Sequence, residues 1–137
     1  MPAEIHEDTF LRVFWDRTTR VISIDWKEST SAMTDDDFKK ELTLFADYVE
    51  RQKAQGILVD VANFRHKLGP EVQEWRVKNI SVRYGAAGVT RFAFLLPIDA
   101  PIPPMLNRSS PGEPFVTRGF NRADEALAWL SEDRTDR

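Results

Sequence analysis

The sequence predicts an α/β domain: a mixed, mostly parallel sheet of four to five strands, with an N-terminal antiparallel hairpin and helices packed mainly on one face. Three observations predict it. Strand-like apolar runs alternate with runs of helical period along the chain. Two of the strand-like runs, Gly56-Ile57-Leu58-Val59-Asp60-Val61 and Arg91 to Leu96, are almost continuously apolar, as strands buried on both faces are. The first two runs are separated by four polar residues, Asp16 to Thr19, which is hairpin spacing.

Residues 1–8 carry Glu4, Glu7 and Asp8 and read as a flexible lead-in. Thr9 to Trp15 holds Phe10, Leu11, Val13 and Phe14, which suits a strand. Arg20 to Trp26 alternates, with Ile22, Ile24 and Trp26 on one face and Val21, Ser23 and Asp25 on the other. The first helix starts at Thr34, whose hydroxyl can cap the Asp37 amide. Asp35, Asp36 and Asp37 then lie at the positive end of the helix dipole. Phe38, Leu42, Phe45 and Val49 fall on one face, and the helix is expected to run to about Gln55 and end at Gly56.

A second helix is expected from Pro70, a favoured first position, to about Tyr84, before Gly85. Its apolar residues split into two neighbouring sides: Val77, Ile80 and Tyr84, and Val72, Trp75 and Val82. One side should face the sheet; the Trp75 side is either a partner surface or part of a wide buried face. Pro97 to Pro114 contains six of the eight prolines and is long for a connection in a compact domain. A short helical turn around Pro104–Arg108 is one expectation there, and Ile98, Ile102, Met105 and Leu106 should pack on something. Phe115 to Gly119 reads as a last strand. Asn121 reads as the cap of a final helix whose buried stripe is Ala123, Ala126, Leu127 and Leu130. The domain is thus expected over 9–131, with a flexible tail at 132–137.

Composition removes whole classes of function. With no cysteine there is no disulfide, thiolate nucleophile or cysteine-bound metal. No apolar run approaches the ~20 residues that span a bilayer, and the acidic start is unlike a signal peptide, so the expected location is cytoplasmic. Net charge is −3 but uneven: residues 61–122 hold 9 basic and 4 acidic side chains, whereas 1–60 hold 8 and 13. That excess suits an anionic partner, but a fold in which the two groups face each other accounts for it more simply. The acidic total, without Lys/Arg runs interleaved with aromatics, argues against nucleic acid.

Phosphate-binding glycine motifs and a Gly-x-Ser-x-Gly elbow are missing, and His6 and His66 make no His-x-x-x-His pair. No metal, cofactor or catalytic residue is therefore assigned. One constellation carries possible chemistry. Asp60, at the carboxyl end of a central strand, precedes a loop reading Phe64-Arg65-His66-Lys67, and open α/β sheets place ligands there. Asp60 can orient His66 while Arg65 and Lys67 hold an anion, or it can simply cap turn amides.

The element order, the Asp60-ended strand and the terminal signature Phe120-x-x-Ala123-Asp124-Glu125-Ala126-Leu127-x-Trp129-Leu130 resemble the SpoIIAA-like family. That family belongs with the STAS domains, the fold of bacterial anti-sigma-factor antagonists, and is akin to lipid-transfer domains of the CRAL-TRIO type. The resemblance covers residues 9–131 and implies binding in place of turnover. A phosphoregulated STAS protein carries a serine or threonine in the loop after its Asp-ended strand. Here Val61 to Ile80 contains neither, so the phosphoswitch is absent.

Three functional readings follow. The leading one is a non-enzymatic STAS-like binding or regulatory module whose partner is another protein or its own copy in a homodimer. The second is a carrier or sensor of an apolar or lipid-like ligand held between helices and sheet. Phe64, Trp75, Met105 and Leu106 would lie near that ligand, and Arg65 or Lys67 at its head. The third is a hydrolase using Asp60 and His66.

Overall fold

The computed structural model describes residues 2–103 and 113–132. The fold is α/β, with six strands in the order β1-β2-β3-β4-β5-β6: β1 (Ala3–Glu7), β2 (Leu11–Asp16), β3 (Val21–Trp26), β4 (Gly56–Asp60), β5 (Arg91–Leu95) and β6 (Val116–Phe120). β1, β2 and β3 pair antiparallel, and β3 to β6 pair parallel. The sheet therefore has six strands where four to five were expected. The extra one, β1, lies inside the segment read as a lead-in. Its sequence, Ala-Glu-Ile-His-Glu, has too little apolar content to announce a strand, and it forms on the ready-made edge of β2.

The first helix, α1 (Asp35–Gln52), begins as its sequence dictates. The Asp37 amide donates to Thr34 Oγ1 at 3.1 Å, and the Thr34 amide donates back to Asp37 Oδ2 at 3.0 Å, a reciprocal capping box. Phe38, Leu42, Phe45 and Val49 are all buried against the sheet; each contributes roughly 1.5–3 kcal/mol relative to exposure. The helix stops at Gln52, earlier than expected. Lys53 takes the left-handed cap position at φ 55°, and Gly56 instead opens β4. A Cβ at Gly56 would approach Leu130 Cδ2 to 3.3 Å, so the small residue there makes room for the last helix.

The second helical region runs on past Gly85. It consists of α2 (Pro70–Arg76), a π-helical turn (Val77–Ser81) and α3 (Val82–Ala87), with Gly88 as its left-handed cap at φ 112°. Gly85 is glycine for another reason: a Cβ there would sit 1.9 Å from Pro114 Cγ. The π turn also resolves the split apolar pattern. In a regular helix, at ~100° per residue, Val72 would point about 80° away from Ile80. The wide turn carries the phase back, so that Val72, Ile80 and Tyr84 are all buried while Val82 stays exposed.

The larger core lies between one sheet face and these helices; it includes Leu11, Ile22, Ile24, Phe45, Ile57, Val59, Ile80 and Phe92. The last helix, α4 (Ala123–Leu130), covers the opposite face. There Ala126 and Leu130 pack with Val21, Leu58, Ala93 and Phe120. The helices thus occupy both faces, with the longer ones on one side. Arg122, not Asn121, is the residue preceding α4, and it makes no side-chain cap. Asn121 instead donates to the Pro97 and Ala100 carbonyls, both at 2.8 Å, which fastens the loop after β5. The expected turn at 104–108 lies outside the described residues, as does the expected 132–137 tail beyond Glu132.

Candidate functional site

The carboxyl ends of β3, β4 and β5 and the loop after β4 do form a site, but its centre is a cavity of about 620 Å³ between the sheet and the helices. Its floor is Ile24, Val59, Phe92 and Phe94 from the sheet. Phe38 and Leu42 of α1 form one wall, and Val77 and Tyr84 form another. Phe64 and Leu68, from the loop after β4, close one side. Strand alternation selects these residues: Ile24 and Val59 point into the space, and their neighbours point the other way.

The loop is tied to its neighbour by a buried threonine. Thr30, in a 3₁₀ turn (Glu28–Ala32), donates to the Lys27 carbonyl at 2.8 Å and accepts the Arg65 amide at 2.7 Å. Phe64 is thereby set edge-on against Trp26, with ring centroids 4.9 Å apart.

One end of the cavity is polar. The Glu113 side chain is only 5% exposed. Its Oε2 accepts Ser81 Oγ at 2.8 Å and Arg76 Nη1 at 3.1 Å, and the same Arg76 nitrogen reaches Ser81 Oγ at 3.4 Å. The π turn makes this possible, because it brings Arg76 and Ser81, five residues apart, to the same partner. Arg76 and Glu113 line the cavity together with Gln73, Glu74 and Thr117, while Ser81 is buried outside the lining.

The residues singled out in the sequence scatter around this site. Phe64 lines the cavity. Asp60 does not. The alternation that turns Val59 inward turns Asp60 to the opposite face, where it pairs in register with Asp25 and accepts the Ala62 amide at 3.0 Å. His66 therefore takes a different acid, with Nε2 2.8 Å from Asp35 Oδ1. Arg65 pairs with Glu28 at 3.3 Å, and Lys67 is exposed. The basic loop thus meets acidic residues of the first half of the chain, which accounts for part of the uneven charge. Trp75 is half-buried beneath Lys39, whose Nζ lies 5.5 Å from the ring centroid, and is not part of the cavity lining. Met105 and Leu106 lie outside the described residues.

No sequence pattern marks Arg76, Ser81 and Glu113. Arg76 and Ser81 sit on a predicted helix without a distinguishing pattern, and Glu113 is 37 residues from Arg76. Among the described residues, no helix is long and apolar enough to cross a membrane. No protein-family model matches the chain, no curated protein matches it, and no solved structure matches it.

Proposed function

We propose that this protein is a non-enzymatic binding module of the cytoplasm whose ligand is an apolar small molecule with an uncharged hydrogen-bonding group. The observation that carries this reading is the 620 Å³ cavity, walled by aromatic and aliphatic side chains and polar at one end. Its size falls within the ~300–1,000 Å³ of small-molecule sites, and few convergent polar groups in an apolar wall are what such sites use for orientation. The nature of the head group follows from Glu113. Arg76 already holds a buried carboxylate, so a second anion there would meet like charge. A hydroxyl, carbonyl or amide can share the Arg76, Ser81 and Glu113 network without that cost.

This reading develops the carrier alternative and moves the head group from Arg65 or Lys67 to Arg76. It remains compatible with a SpoIIAA-like affiliation, supported by the element order and the parallel strands β3 to β6. A hydrolase using Asp60 and His66 gains no support, since each of them has a different partner.

Native mass spectrometry of freshly purified protein tests the proposal. A discrete added mass that is lost on denaturation, and whose extracted molecule is apolar, is the expected result. A clean mass, together with no thermal stabilisation by dodecan-1-ol, would overturn it.

A further inference from the structure

A second cluster of polar side chains lies outside the cavity, where β1 meets α1. His6 of β1, Asp8 of the following turn and Glu41 of α1 each offer one donor atom, and the three atoms lie within 4.8 Å of one another. None of the three lines the cavity. His6 Nε2 is 2.8 Å from Asp8 Oδ2. The other Asp8 oxygen, Oδ1, accepts the Phe10 amide at 2.9 Å and the Leu11 amide at 3.1 Å, so the carboxylate is fixed in place.

Glu41 is the anomaly. It is 8% exposed, and its Oε2 meets no hydrogen-bond donor among the described residues; its carboxyl group instead faces that of Asp8. Burying a carboxylate in this way is costly unless something compensates it.

We propose that His6 Nε2, Asp8 Oδ2 and Glu41 Oε2 form a binding site for a divalent transition-metal ion such as Zn²⁺. One imidazole with two carboxylates suits Zn²⁺ and its neighbours better than Ca²⁺ or Mg²⁺, which prefer oxygen alone. With bonds of ~2.0–2.2 Å, ligand atoms around a tetrahedral ion stand about 3.3 Å apart. The His6 ring must therefore withdraw from Asp8 by a few tenths of an ångström, and the Glu41 oxygen must settle at the same spacing from within 4.8 Å, while the anchored Asp8 stays still. The His6 and Asp8 side chains are 21% and 30% exposed, which leaves an entry route and room for water as a fourth ligand. A bound ion would tie the edge strand β1 to the longest helix.

The test is equilibrium dialysis of chelator-treated full-length protein against Zn²⁺, with His6→Gln, Asp8→Asn, Glu41→Gln and His66→Ala in parallel. One ion per chain is expected. Each of the first three substitutions should weaken binding at least about tenfold, and His66→Ala should leave it unchanged. Added Co²⁺ gives a readout free of mutation: His6 ring protons should show large paramagnetic shifts and His66 ring protons should not. No binding, binding insensitive to all three substitutions, or shifts centred on His66 would each overturn the site.

Discussion

Asp25 and Asp60 stand opposite each other on the parallel pair β3–β4, on the sheet face away from the cavity. Burial, and then the charge of Asp60, raise the Asp25 carboxyl above its ordinary value of 3.8, with Arg12 opposing them. A carboxyl whose folded pKa is raised favours folding below its unfolded value. That contribution is lost as pH rises through the folded value. Asp25→Asn should therefore stabilise the protein at pH 7, and its advantage should shrink towards pH 3. Urea unfolding of both proteins at the two pH values checks this; a pH-independent difference would contradict it.

Thr30 fastens the loop that carries Phe64. Thr30→Val keeps the shape but leaves the Arg65 amide without its acceptor. A cost of roughly 1–3 kcal/mol is expected, with faster hydrogen exchange at the Arg65 amide. Unchanged exchange there would show that the loop is held by other contacts.

Gly85 touches Pro114 so closely that a methyl group cannot be added without movement. In a helix, alanine is ordinarily better than glycine by ~0.5–1 kcal/mol. Gly85→Ala should nonetheless destabilise, by about 1–3 kcal/mol, because overpacking outweighs propensity. A raised Tm would refute the contact.

Thr34→Ala removes one half of the capping box of α1. It should cost about 0.5–2 kcal/mol, and Thr34→Ser much less. Thermal unfolding of the two variants separates loss of the cap from a general effect of substitution.

The parts of the fold that were legible are those governed by local physics. Thr34 and Asp37 announce α1, and the apolar run of β4 announces a central strand. β1 was hidden because its stability comes from the edge of β2 and not from its own Ala-Glu-Ile-His-Glu. The extension of the second helix past Gly85 was hidden because that glycine answers to Pro114, far away in sequence. The site was legible only in outline. Loop placement at the carboxyl end of β4 led to Phe64, but Asp60 had the wrong strand parity for the cavity. Arg76, Ser81 and Glu113 come together through a π turn and a contact across 37 residues, neither of which leaves a periodic trace.

In the proposed binding mode, the cavity between the sheet and α1–α3 takes the apolar body of the ligand, and Arg76 and Glu113 take its head. The most direct test is the shift in Tm produced by dodecan-1-ol and by dodecanoate, for the native protein and for Val59→Trp, which fills the cavity floor. A ligand that binds the folded state alone stabilises by mass action, by about 2.7 kcal/mol at a hundred times its Kd. A concentration-dependent rise with dodecan-1-ol, a smaller one with dodecanoate, and neither in a folded Val59→Trp protein are expected. Equal stabilisation of the native and filled proteins, or none in either, would contradict that mode.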